Sequence, residues 1–187
     1  MMHLVPSESV LVVVDIQERL AGAMPPATLE RLVQNTRILL DAAQTLGVAV
    51  IATEQYPKGL GATLPAVREK LDEAGARVHE KSAFDALGDD RVRVALAELR
   101  ARRKSAVVVG MEAHVCVYQT TRSLAAAGWA VHVVADAVSS RSEDNRRAGL
   151  DLAARAGAIP TVTETVVFDW LGRAGTDEFK KLSKLVK

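Results

Sequence analysis

Short β-branched runs alternate with longer stretches of helical period along this chain. "SVLVVVD" (residues 9–15) is apolar up to its final aspartate, the pattern of a strand covered on both faces in a parallel sheet. In residues 28–46, Leu29, Leu32, Val33, Leu39, Leu40, Ala43 and Leu46 fall on one helical stripe, and Gly47 follows where a left-handed residue closes a helix. "VAVIAT" (48–53) predicts a second strand, residues 64–74 a weaker helix, and "ARVHE" (76–80) a short third strand. A helix over residues 90–103 follows, with Asp89 as its N-cap. "SAVVVG" (105–110) is the fourth strand, and residues 115–127 form a helix closed by Gly128. "WAVHVVAD" (129–136), a helix over 145–156 and "AIPTVTE" (158–164) continue the alternation. About six strands joined by helical crossovers predict an α/β fold, an open, doubly wound parallel sheet with helices on both faces. No linker, low-complexity block or repeat divides the pattern, so residues 1–187 are expected to form a single domain.

Composition narrows the function classes. The sequence of 187 residues has one cysteine, which excludes an intrachain disulfide and suits a reducing compartment, so a cytoplasmic location is expected. "MMHLVPSESV" shows no basic segment ahead of a long apolar run, and "VLVVV" is far too short to span a bilayer, so neither signal peptide nor membrane helix is expected. Lys+Arg 24 against Asp+Glu 23 gives a net charge of +1, and aromatic residues make up 4%, too few to offer a stacking platform for nucleic acid. The one dense basic run, "RARRK" (100–104), ends a helical pattern, where cations favour the dipole.

In an open α/β sheet the ligand crevice lies beyond the carboxyl ends of the strands. Three chemically capable residues fall there. Asp15 ends the first strand, Lys81 lies just past the third in "HEKSAFDAL", and Cys116 follows the fourth in "GMEAHVCVYQTTR". A carboxylate after an apolar strand needs a partner, and Lys81 can supply it. Cys116 lies near a helix N-terminus, so its thiol is expected to ionise below the free value of roughly 8.5. The ordinary alternatives are a strand-end aspartate capping a turn and a small apolar cysteine in the core. His114, two residues before Cys116, does not share its helix face and suits a hydrogen-bonded structural role; His79 and His132 read as packed or edge imidazoles. No His/Cys/Asp spacing fits zinc, no Gly-x-Ser-x-Gly elbow appears, and "KGLGA" (58–62) reads as a mobile loop rather than a phosphate cradle. Gln17, Tyr56 and Phe84 border the same edge and are candidate pocket walls.

The segments "VVVDIQERL", "ATEQYPKGLG", "EKSAFDAL" and "VVVGMEAHVCVYQTTRSLAAAGWAVHVVADAVSSRS" together resemble the isochorismatase-like cysteine hydrolase superfamily, most closely its isochorismatase-domain proteins of unassigned substrate. The resemblance runs from about residue 11 to residue 164 and is most specific in Gly-x-Glu-x-His-x-Cys. It implies a Rossmann-like sheet, a catalytic set of Asp15, Lys81 and Cys116, and a cis peptide joining Met111 to Glu112 beside the oxyanion site. Two departures bear on activity. The region after the second strand, "TEQYPKGLG", has no histidine where nicotinamidases of the superfamily hold a metal, and Cys116 stands where isochorismatases proper usually lack a cysteine.

The expectation is therefore a metal-independent hydrolase, without cofactor, that acts on a small amide or related acyl substrate through a cysteine thioester. The alternatives are hydrolysis of an isochorismate-like enol ether and a non-catalytic binding or assembly module. The expected partners are a small-molecule substrate and further copies of the chain, since "SLAAAGW" offers small residues for close approach and the family commonly assembles; nucleic acid and membrane are not expected.

Overall fold

A computed structural model describes residues 3–186. Six strands form one sheet: β1 (Ser9–Val14), β2 (Ala49–Gln55), β3 (Arg77–Lys81), β4 (Ser105–Met111), β5 (Ala130–Ser139) and β6 (Ile159–Thr161). Their order is β3-β2-β1-β4-β5-β6 and every pair is parallel. The helices are α1 (Glu18–Ala21), α2 (Pro26–Leu46), α3 (Pro57–Leu60), α4 (Pro65–Glu73), α5 (Asp90–Arg100), α6 (Tyr118–Ala126), α7 (Glu143–Arg155), α8 (Thr163–Leu171) and α9 (Asp177–Leu182). This is the predicted doubly wound α/β fold.

The alternation of side chains along a strand divides the interior in two. Leu11 and Val13 of β1 pack with Leu39 of α2 and Trp170 of α8 on one face, while Val10, Val12 and Val14 pack with Leu96 of α5 and Leu124 of α6 on the other. The continuous apolar run of β1 is thus explained by its central place, covered on both sides. Strand order reverses between β1 and β4, which opens the crevice at their carboxyl ends.

Local chemistry sets most element ends. Gly47 closes α2 at φ 70°, Asp89 Oδ1 caps α5 by accepting the Arg91 and Val92 amides, and Ser142 Oγ caps α7 through the Asn145 amide. α2 starts at Pro26, two residues before the predicted boundary, because proline suits the first helical position. The strand predicted over residues 158–164 is only three residues long. Asp136 Oδ1 accepts both the amide and the hydroxyl of Thr163 at 2.9 Å, which starts α8 where the β-branched sequence reads as a continued strand.

The loop around "KGLGA", expected to be mobile, contains α3 and is fastened on both sides. Glu54 Oε1 accepts the amide and hydroxyl of Thr63, Gln17 Nε2 donates to the Gly61 carbonyl at 2.7 Å, and the Leu64 amide donates to the Ile16 carbonyl. Two members of the basic run pack against the body: Arg100 lies over the Trp129 ring and donates to the Gly128 carbonyl, and Arg103 Nη1 donates to the Ser9 carbonyl at 2.7 Å. Among the described residues no helix is long and apolar enough to cross a membrane.

One glycine controls the central pairing. Gly110 of β4 has φ 120°, and a Cβ there would lie 2.0 Å from the carbonyl oxygen of its β1 partner Val14. Gly47 also has positive φ, but no atom lies within 4 Å of where its Cβ would be. Gly110→Ala is therefore expected to cost about 3 kcal/mol or more, and Gly47→Ala only about 1 kcal/mol, as read from urea denaturation midpoints.

Candidate active site

The strand register brings the expected residues together. Val14 of β1 is level with Thr53 of β2, and Gln55 of β2 with Lys81, the last residue of β3. Asp15, the next residue after β1, adopts φ 50°, and its amide donates to the Thr53 carbonyl. Lys81 Nζ donates to Asp15 Oδ2 at 2.7 Å, with neither side chain exposed to solvent. The other carboxylate oxygen, Oδ1, accepts the Thr53 hydroxyl at 2.7 Å. Lys81 Nζ is also within hydrogen-bonding distance of Gln55 Oε1 at 2.8 Å and of the Ala83 and Phe84 carbonyls at 3.2 Å. An ammonium has three donors, so these four acceptors engage it fully.

Cys116 comes from the other side of the crevice. β4 ends at Met111, the Met111–Glu112 peptide is cis, and the chain then enters a π-helical turn, Ala113–Val117, that continues into α6. The sequence predicts an α-helix from residue 115; the wider turn begins two residues earlier, with the Glu112 carbonyl accepting the Val115 and Val117 amides. Cys116 is buried, 5% exposed.

The expected low thiol pKa is corrected. Burial pushes the Cys116 thiol up to about 12, reinforced by the facing Asp15 carboxylate and by Glu112 and only partly opposed by Lys81. A helix N-terminus favours the thiolate only while it stays hydrated or otherwise compensated; here the loss of water and two nearby carboxylates outweigh it. At rest the site therefore holds a neutral thiol beside a carboxylate–ammonium pair.

The three candidate wall residues separate. Gln17 is fully buried, and its amide is engaged by the Gln55 carbonyl, the Gly61 carbonyl and the Gln55 amide, so it fastens the loop rather than facing a ligand. Tyr56 and Phe84 are exposed, and their backbones touch Lys81: the Tyr56 amide donates to the Lys81 carbonyl, and the Phe84 carbonyl accepts from Lys81 Nζ. Tyr56 also lines a hollow of about 290 Å³ with Lys58, Glu80, Lys81 and Arg91. A wider cavity of about 690 Å³ on α2, bordered by Leu29, Val33, Arg37 and Leu64, contains none of the site residues. His114 Nδ1 lies 3.1 Å from Ser140 Oγ, in keeping with a structural role. Among the described residues no group of three or more His, Cys, Asp or Glu is arranged to hold a metal ion.

Sequence reasoning missed Thr53, Gln55 and Arg141. The signal for the first two was present in "ATEQ": three polar residues in a row at the end of an apolar strand are costly to bury unless each is engaged. Arg141 had no such signal, because its partner Glu112 lies 29 positions away.

The comparisons with known proteins agree with this fold. A secreted isochorismatase effector, Isc1, of Phytophthora sojae is 38% identical over 99% of this chain and 87% of its own length. Isochorismatase domain-containing protein 1 of Salmo salar is also 38% identical over 99% of this chain, which spans only 63% of that longer protein. A solved structure described as the MAR1 ribonuclease of Caenorhabditis elegans superimposes with a TM-score of 0.89 at 36% identity, covering 98% of this chain and 92% of that one. The isochorismatase domain model matches residues 9–165, the span that contains all six strands, Asp15, Lys81 and the Cys116 turn. The chain belongs to the isochorismatase family and has its hydrolase fold.

Proposed function

We propose that the protein is a cysteine hydrolase of small amides or related acyl compounds, with Cys116 as nucleophile, Asp15 as proton carrier and Lys81 as fixed countercharge. The observation that carries this reading is the buried Cys116 thiol facing the fully buried Asp15–Lys81 ion pair. Cys116 Sγ attacks the substrate carbonyl as its proton passes to Asp15. The N–H groups of the turn, Cys116 among them, receive the oxyanion. Collapse breaks the C–N bond, and Asp15 returns the proton to the departing amine. Water then loses a proton to Asp15 and attacks the thioester; the C–S bond breaks, the acid leaves, and the proton returns to sulfur. Lys81 keeps its own protons throughout, since all three are engaged at rest.

Two features favour this route over its rivals. Enol-ether hydrolysis needs Asp15 to enter the reaction already protonated, whereas at rest both its oxygens accept hydrogen bonds, one of them from an ammonium; in the thiol route Asp15 first takes its proton from Cys116. A polymeric RNA substrate, suggested by the description of the Caenorhabditis elegans neighbour, would have to reach side chains with no solvent exposure. Burial favours a small ligand that enters past Phe84 and Tyr56. The substrate is a small molecule, no cofactor takes part, and the location is cytoplasmic. One domain spans residues 1–187 and assembles as a homo-oligomer, for which light scattering is expected to give a mass of at least two chains.

A panel of small amides, esters, enol ethers and a short RNA tests the reading. Turnover confined to acyl compounds and lost about a thousandfold or more in Cys116→Ala is the expected result. Turnover that survives in Cys116→Ala overturns it.

The resting thiol gives a separate test. Its raised pKa predicts that iodoacetamide alkylates Cys116 at pH 8 more than tenfold more slowly than a free thiol, with the rate still rising at pH 10. Asp15→Asn removes a facing negative charge, so alkylation is expected to become faster while turnover falls by about a hundredfold or more.

A further inference from the structure

The turn that carries Cys116 is joined at three points to the chain segment after β5. Glu112, at the head of the turn, is buried, and its carboxylate is held by one residue: Oε2 accepts the Arg141 amide at 3.0 Å and Nε at 3.2 Å, and Oε1 accepts Arg141 Nη2 at 2.8 Å. His114 meets Ser140 on the same segment. α7, which starts two residues after Arg141, runs so close to the turn that a Cβ on Gly149 would lie 2.5 Å from the Ala113 carbonyl carbon and the His114 nitrogen. Arg141 is therefore fixed from both sides, although its side chain is 62% exposed.

The charged groups facing the thiol are Asp15 after β1, Lys81 ending β3 and Glu112 after β4; His114 acts on Glu112, and α7 packs against the turn through Gly149 and Ala153. Burial pushes the Glu112 carboxyl up, but the hydrogen bonds and charge of Arg141 outweigh it and hold Glu112 below the usual carboxylate range. Glu112 is thus an anion close to a nucleophile that must itself become negative. An unmasked carboxylate there opposes thiolate formation.

We propose that Arg141 is a positioning residue for Cys116: its hold on Glu112 fixes the nucleophile turn and masks the Glu112 carboxylate from the sulfur. The catalytic use of that sulfur rests on the cysteine hydrolase reading, but the masking does not. Iodoacetamide alkylation of Cys116 needs no substrate, so it tests this proposal even if the amide panel gives no turnover.

The experiment is a double-mutant cycle with Arg141→Gln and Glu112→Gln in the full chain, reading the alkylation rate of Cys116 against pH. Arg141→Gln is expected to slow alkylation at pH 9 by about three- to tenfold, because the unmasked Glu112 disfavours the thiolate. In the Glu112→Gln background the same change is expected to alter the rate by less than about twofold, since nothing remains to be masked. An unchanged or faster rate in Arg141→Gln overturns the proposal, as does an equal loss in both backgrounds. Should Glu112→Gln fail to fold, Arg141→Lys decides the matter. A rate near wild type with the charge retained supports masking, and a loss equal to that of Arg141→Gln overturns it.

Discussion

The Asp15–Lys81 ion pair is the constraint on which the rest of the site depends. Removing two unit charges from water costs several kcal/mol each, and their attraction offsets this only when geometry is good and the remaining donors and acceptors are met. Here they are met. Thr53 supplies the second hydrogen bond to the carboxylate, and Gln55 with the Ala83 and Phe84 carbonyls completes the ammonium. The pair and its partners come from the ends of three neighbouring strands and from the segment after β3, so the register of β1, β2 and β3 must be correct at once. A slip of one residue would turn Thr53 to the other face and leave Asp15 half satisfied. Strand pairing and charge burial specify each other.

The same dryness sets the resting state of Cys116. Burial beside Asp15 favours the protonated thiol; in the proposed reaction the anion forms as its proton moves to the carboxylate. A helix N-terminus alone would lower the thiol pKa and expose a standing thiolate to any oxidant or electrophile. Gly110 makes the arrangement possible by letting β4 approach the Val14 carbonyl, which brings the Cys116 turn alongside the end of β1.

What the sequence made legible follows from how local each signal is. Central strands declare themselves as unbroken apolar runs, and Gly47, Asp89 and Gly128 mark helix ends by their own chemistry. Asp15, Lys81 and Cys116 could be placed on one edge because the parallel fold puts every strand's carboxyl end there. The start of α8 was hidden because "TVTETVV" is β-branched and its cap, Asp136, comes from β5. The direction of the thiol shift was hidden for a similar reason: the sequence shows the helix start but not the loss of water around it. Gln17 looked like a wall because its strand end is correct, but its engagement with Gly61, 44 positions away, is set only by the folded loop.

Backbone and side-chain requirements coincide at Asp15. Among the described residues, Asp15 and Tyr56 are the only ones other than glycine with positive φ, and both touch the ion pair, Asp15 as a member and Tyr56 by donating its amide to the Lys81 carbonyl. A left-handed residue after β1 turns the chain sharply and leaves the next amides free to bond locally; the Gln17 amide donates to the Asp15 carbonyl at 2.9 Å. Glycine would relax the strain but remove the carboxylate, and a β-branched residue would meet a steep steric penalty. Aspartate tolerates this region better than most side chains and supplies the anion that Lys81 needs. The strain of roughly 1–3 kcal/mol at such a position persists because hydrogen bonds on both sides over-determine it. The turn that ends β1 is thus also the device that places the Asp15 carboxylate in the crevice.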